Sequence, residues 1–158
     1  MPLTIRPARP DDADTIRRFI LELATYEGAP DAVEVTAAEL RAQLASATPP
    51  FECVLAELDD RPVGFAVFFP NYSTWRGRRG LYLEDLFVTE VHRHRGVGTA
   101  LLRHVVRLAR ARGCARVEWA VLDWNAPAIA FYRSLGAVPL DEWTVYRLTD
   151  HALAKLGD

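Results

Sequence analysis

Leu81-Tyr82-Leu83-Glu84-Asp85-Leu86-Phe87-Val88 and, a few residues on, Arg93-His94-Arg95-Gly96-Val97-Gly98-Thr99 are the stretches that decide the fold. The first is an apolar run of strand length, interrupted by two adjacent acids. The second leads through two glycines into Leu101, Leu102, Val105, Val106, Leu108 and Ala109, apolar residues at helical spacing that end at Gly113. A helix start exposes backbone N–H groups and the positive end of the helix dipole. Glycines without a Cβ let an anion reach those groups, and arginines add charge in a fork that matches phosphate oxygens. The segment is neither the dinucleotide pattern GxGxxG nor a P-loop. An ordinary glycine-containing turn into a helix would also satisfy it.

Outward from this centre, Leu3–Arg6 reads as a short strand broken by Pro7 and Pro10. Asp11 is placed to cap a helix carrying Ile16, Phe19, Ile20, Leu23 and Ala24 on one stripe, running to about Tyr26. Thr36 and Glu39 have the spacing of a capping box and open a second helix through about Ala47. Phe51–Leu58 and Pro62–Phe69 form an expected hairpin around Asp59–Arg61. Residues 70–80 read as a loop and Val117–Leu122 as a buried strand. Asn125 caps a helix with Pro127 in its first turn, and Gly136 stops it. Trp143–Leu148 is the expected last strand, with a helical turn or two over Asp150–Leu156. The order β α α β β β α β α β is mixed α/β.

The chain of 158 residues fits one domain, 1–158, and half of its residues are apolar and a quarter charged. No apolar stretch reaches the roughly 18 residues of a membrane span. The opening MPLTIRPARPDDAD has no apolar core ahead of a cleavage site, so no secretory leader is expected. Cys53 and Cys114 have no metal-ligand spacing, and the expectation is a metal-free cytoplasmic protein. The net charge is −2, but residues 11–39 hold eight acids against Arg17 and Arg18, whereas residues 91–117 hold seven arginines and no acid. Solvated helix faces would account for this. So would an anion site beside a cation site. Nucleic-acid binding is disfavoured by the overall charge and the compactness of the basic segment.

Arg93-x-x-Gly96-x-Gly98 after a strand, with Asn125-x-Pro127-x4-Tyr132-x3-Gly136 downstream, resembles the GNAT superfamily of N-acetyltransferases. Leu23-Ala24-x-Tyr26-Glu27, Gly64-Phe65-Ala66, Trp75-x-Gly77, Tyr82-Leu83-Glu84-Asp85-x-Phe87-Val88 and Trp124-Asn125 are similar to the diamine (spermidine/spermine) and thialysine acetyltransferases within it. The likeness spans residues 3–156. It implies a twisted, mixed, mostly antiparallel sheet flanked by helices, with a central strand pair splayed to admit acetyl-CoA. It also implies that Arg93, His94, Arg95, Gly96, Val97, Gly98 and Thr99 hold the pyrophosphate. Leu86, Phe87 and Val88 would pair with the pantetheine arm, and Asn125, Ala126, Pro127 and Ala128 would lie beside the cofactor. The family usually forms homodimers. This chain is shorter than eukaryotic members between its two hairpin strands and before Trp143, which bears on the choice of amine. Arg95 stands where a smaller or aromatic residue is common.

Acetyl transfer to an amine requires the loss of a proton from an ammonium of pKa near 10.4. Glu84 is the candidate acceptor, since two acids in an apolar strand are costly to bury without a use. Strand alternation puts Asp85 on the opposite face as the structural member; a solvated acid and an arginine-paired acid would be the plain alternative. The resemblance also implies that the Leu86 N–H faces the developing charge on the thioester oxygen. Tyr132 stands where the family has its general acid, although a core aromatic beside Phe131 would look the same. Tyr26, Glu27, Trp75, Glu84, Glu142 and Trp143, with Asp141 as a further candidate, would receive a small cationic amine among acids and aromatic faces, although Trp75 and Trp143 would serve equally as core or interface residues. The resemblance adds Glu118, Trp119 and Ala120, which fall where the family lines part of its substrate channel. The rival readings are a protein N-terminal or lysine acetyltransferase and a non-catalytic acyl-CoA-binding module.

Overall fold

A computed structural model describes residues 2–158. They fall into two compact units, one extending to Ala120 and the other covering Val121–Asp158. The first carries a five-stranded sheet in the order β1 (Leu3–Pro7), β2 (Glu52–Leu58), β3 (Arg61–Ser73), β4 (Arg78–Val88), β5 (Val117–Glu118). Its first four strands are antiparallel, and β4 and β5 run parallel. The β2–β3 turn works because Asp59 and Asp60 both take positive φ, 51° and 61°. That pair of left-handed residues is what a tight hairpin matching the strand twist requires.

The β3–β4 arm is longer than the sequence predicts. Residues 70–73 and 78–80, expected as loop, are paired from Pro70↔Leu81 to Ser73↔Arg78. This arm shows no apolar alternation because Pro70 and Tyr72 are exposed, and backbone pairing holds it. Pro70 is tolerated because β2 pairs with β3 only as far as Phe68, beyond which β3 is an edge on that side. Two other expected strands shrink or vanish. Only Val117–Glu118 of the 117–122 stretch is strand, and Trp143–Leu148 forms none.

Helices cover both faces of the sheet. On one, α3 (Val97–Ala111) buries Val97, Leu101, Leu102, Val105 and Ala109 with Val54, Ala66, Phe68, Leu81 and Leu83. Val106, expected on that stripe, is exposed, because the stripe is narrower than the run of apolar residues. On the other face, α1 (Ala13–Tyr26) and α2 (Ala37–Ala45) bury Ile16, Phe19 and Leu40 with Leu55, Phe65, Val67 and Phe87. Phe19, Phe65 and Phe87 pack with ring centroids 5.4–6.5 Å apart.

The cap of α1 is Asp12, one residue after the expected Asp11. The Asp12 carboxylate accepts from the Arg9 N–H and from Arg6, which holds its pKa below the usual carboxylate range. Asp11 instead pairs with Arg41. Thr36 caps α2 as expected, accepting from the Glu39 N–H at 3.1 Å. In the second unit, the Asn125 side chain accepts from the Ala128 N–H to open α4 (Ala126–Ser134), with Pro127 in the first turn. Gly136, φ 89°, follows its end, and α5 spans Asp150–Leu156.

Candidate active site

The register of β3 against β4 slips at one point. Val67 faces Asp85 and Phe68 faces Leu83, so Glu84 is an extra residue with no partner on β3. A bulge of this kind reverses the alternation of everything beyond it. Leu81 and Leu83 lie in the core under α3; beyond the bulge it is Leu86 and Val88 that pack there, and Phe87 enters the core under α1 and α2. Glu84 and Asp85 therefore fall together on the α1 side. This corrects the expectation that Asp85 points away from Glu84.

The charges agree with that placement. Burial pushes Asp85 up to about 6, with Glu84 and then Glu27 adding to the rise. Burial also raises the pKa of Glu27, one residue past the end of α1. Tyr82 is raised by burial, Glu84 and Glu118. Glu84 and Glu27, both exposed, and the half-buried Asp85 thus form an uncompensated group of acids where the end of α1 meets β4. Among the described residues, none of the three carboxylates has an ion-pair partner.

Beside these acids the sheet opens. β4 and β5 pair only at Leu81↔Val117 and Tyr82↔Glu118. The chain just beyond Glu118 is not strand, so among the described residues Leu83–Val88 has no strand partner on the β5 side. The pairing ends where the resemblance implies a splayed pair. It leaves the backbone of Leu86, Phe87 and Val88 without a sheet neighbour there.

Next comes the segment leading into α3. Thr89 donates its N–H to the Val63 carbonyl, and its hydroxyl lies 2.8 Å from His92 Nδ1. His94 and Gly96 have positive φ, 61° and 81°. Gly96 is the N-cap of α3, with no side-chain bond to the first turn, so Val97, Gly98 and Thr99 present N–H groups that the helix itself does not satisfy. An ideal Cβ at Gly96 would meet nothing within 4 Å, and one at Gly98 would meet only Val88, at 3.8 Å. The space over the helix start is thus open to an anion, and the residues fit a pyrophosphate. Arg93 is engaged otherwise: its Nε donates to the Val88 carbonyl, and its guanidinium packs over the rings of Tyr26 and Phe87.

Glu118 is bound by Arg116, at 2.9 Å, and by the Asn71 amide, so its charge is already offset. Trp119 packs against the α3-side core, and Ala120 follows it. Trp75 is exposed near the end of the β3–β4 arm. In the second unit, the ring of Tyr132 lies 5.4 Å from that of Phe131 on α4, and Asp141, Glu142 and Trp143 are exposed. Asp85 joins the group of acids because alternation from Leu83 breaks at Glu84, a break whose one local sign in the sequence is the pair of adjacent acids.

The profile of the acetyltransferase (GNAT) family matches residues 17–137, and the chain belongs to that family. It is an N-acetyltransferase. A thialysine N-epsilon-acetyltransferase from Bos taurus is 37% identical over 97% of this chain and 96% of its own length. An L-ornithine N5-acetyltransferase from Arabidopsis thaliana is 45% identical over 59% of this chain and 41% of its own. Among solved structures, an integron cassette protein from the mobile metagenome of V. cholerae superposes with a TM-score of 0.82 at 25% identity, covering 99% of this chain and 98% of that one.

Proposed function

We propose that the protein transfers an acetyl group from acetyl-CoA to a primary amine of a small molecule that carries more than one charged group, such as a diamine, polyamine, thialysine or related amino acid. The observation that carries this reading is the bulge at Glu84. It sets two carboxylates side by side, near Glu27 and next to the unpaired backbone of Leu86–Val88. The names of the thialysine and ornithine acetyltransferases that this chain resembles point to the same substrate class.

Acetyl-CoA supplies an activated acyl thioester. The N–H groups of Val97, Gly98 and Thr99 would hold its pyrophosphate, with Arg95 and His94 nearby in the chain, and Leu86–Val88 would pair with its pantetheine arm. The segment Asn125–Ala128 would lie beside it. On the protein side, Glu27, Glu84 and Asp85 attract the ammonium, whose positive charge offsets theirs. Glu84 takes the proton from the nitrogen. Asp85, at about 6, lies nearer neutrality than an ordinary carboxylate and poises the pair for proton transfer. Tyr132 supplies a proton from its Oη to the departing sulfur, so that a C–N bond forms as the C–S bond breaks. Tyr26, Trp75, Trp119, Ala120, Glu118, Glu142 and Trp143 would shape the amine's surroundings.

The same reading includes a homodimer, for which the exposed Tyr72 and Trp75 on the β3–β4 arm offer a partner surface. It also includes a cytoplasmic setting, in keeping with two free cysteines. Among the described residues, no helix is long and apolar enough to cross a membrane. A panel of spermidine, putrescine, thialysine, ornithine and lysine, assayed for CoA release, tests the proposal. Release with one or more of these amines, above hydrolysis without amine, is expected. Turnover with none of them overturns the reading.

A further inference from the structure

Arg93 lies at the entrance of the segment proposed to hold phosphate, yet its side chain is committed to the protein. Nε donates to the Val88 carbonyl at 2.9 Å. The guanidinium carbon lies 5.1 Å from the ring centroid of Tyr26 and 5.4 Å from that of Phe87. Three elements meet at this one group. Tyr26 is the last residue of α1, and Phe87 and Val88 end β4. Arg93 itself directly precedes the His94–Gly96 turn. Phe87 is fixed in turn by Phe19 and Phe65, so one wall of the contact is rigid core. With Thr89 tied to β3, the Val88–Arg93 bond is the second tether of the segment.

A phosphate-binding arginine presents its planar edge to the ligand. Here one N–H of that edge is spent on Val88, and the plane is occupied by two aromatic faces, a favourable use of a weakly hydrated cation. We propose that Arg93 is a positioning residue that couples the two substrate sites, setting the anion-binding turn and the ring of Tyr26 through one side chain. This rests on the function proposed above, in which Tyr26 and Glu27 face the amine and residues 94–99 face the donor. Binding at either site would then order the other, and the coupling must be reciprocal.

The test compares Arg93→Gln and Arg93→Lys with the unmodified enzyme, using acetyl-CoA and S-acetylpantetheine, a donor without phosphates. Both variants are expected to raise the amine KM about tenfold, and the loss in kcat/KM should persist with S-acetylpantetheine. Lysine should not rescue, since it keeps the charge but lacks both the Nε bond and the plane. In a Tyr26→Leu background the effect of Arg93→Gln on the amine KM should shrink to about twofold or less, because the contact it acts through is gone. A penalty confined to the donor KM, absent with S-acetylpantetheine and rescued by lysine, would make Arg93 a phosphate ligand and overturn the proposal. Should neither Arg93 variant fold, calorimetry of Tyr26→Leu with acetyl-CoA alone decides: a Kd raised about threefold or more supports coupling, and an unchanged Kd refutes it. An unmodified enzyme inactive on every amine would instead remove the functional reading.

Discussion

Replacing Asp85 by asparagine isolates the cost of the carboxylate pair. The folded protein holds Asp85 at about 6 against an ordinary 3.8, so the native state binds its proton more tightly than the unfolded chain does. The contribution of Asp85 to stability is fully present below 3.8, falls as pH rises, and is lost once pH passes about 6. A difference of about 2 in pKa, at 1.36 kcal/mol each, is a loss of about 3 kcal/mol at high pH. Roughly 1.6 kcal/mol of it has accrued by pH 5 and nearly all by pH 7.5, so about 1.4 kcal/mol separates those two conditions. Asparagine cannot ionise. The stability of Asp85→Asn relative to the unmodified protein should therefore improve by about 1.4 kcal/mol between pH 5 and pH 7.5. Urea unfolding at the two pH values, in the absence of substrates, reads this directly. An improvement independent of pH would mean that burial, Glu84 and Glu27 do not hold the Asp85 proton, and would refute the placement of the two carboxylates together. The same substitution should lower kcat/KM for the amine, the usual exchange of stability for function at a strained site.

Gly64→Ala would place a Cβ 2.6 Å from the Phe87 carbonyl oxygen, a backbone atom that cannot swing aside. A loss of about 2 kcal/mol in urea unfolding is expected, and a near-neutral result would show that β3 and β4 can separate there freely. His94→Gly relieves a non-glycine residue at φ 61° and should stabilise the protein by about 1 kcal/mol; no gain in the unfolding midpoint would show that the turn is unstrained. Tyr132→Phe should reduce kcat by about 10²-fold while acetyl-CoA affinity, read by calorimetry, stays the same. Unchanged turnover would remove Tyr132 from the proton-donating role.

What was legible in the sequence, and what was not, divides along a physical line. α1 and α3 were readable because each buries one narrow stripe against the sheet, and a period of 3.6 shows directly in the residues that must be buried. The β3–β4 arm was not, since backbone pairing holds it and leaves no apolar signature. The glycine turn into α3 was readable from its residues, but the use of Arg93 was not, because nothing local says that Tyr26, 67 residues earlier, will stand over its guanidinium. Glu84 and Asp85 are the instructive case. Strict alternation from Leu81 and Leu83 would have carried Asp85 into the core under α3, among Leu101, Leu102 and Val105, and put Leu86 and Val88 on the opposite face. Burying a carboxylate there without a partner costs several kcal/mol or forces it to stay protonated. One extra residue avoids this at the expense of a single ladder position, and it returns Leu86 and Val88 to the core that α3 covers. Two adjacent acids within an apolar strand therefore did carry information: no unbroken strand can satisfy both. The distortion that keeps the second acid out of the α3 core also sets the two carboxylates side by side, so the same inserted residue that folding requires is the one on which the proposed proton transfer rests.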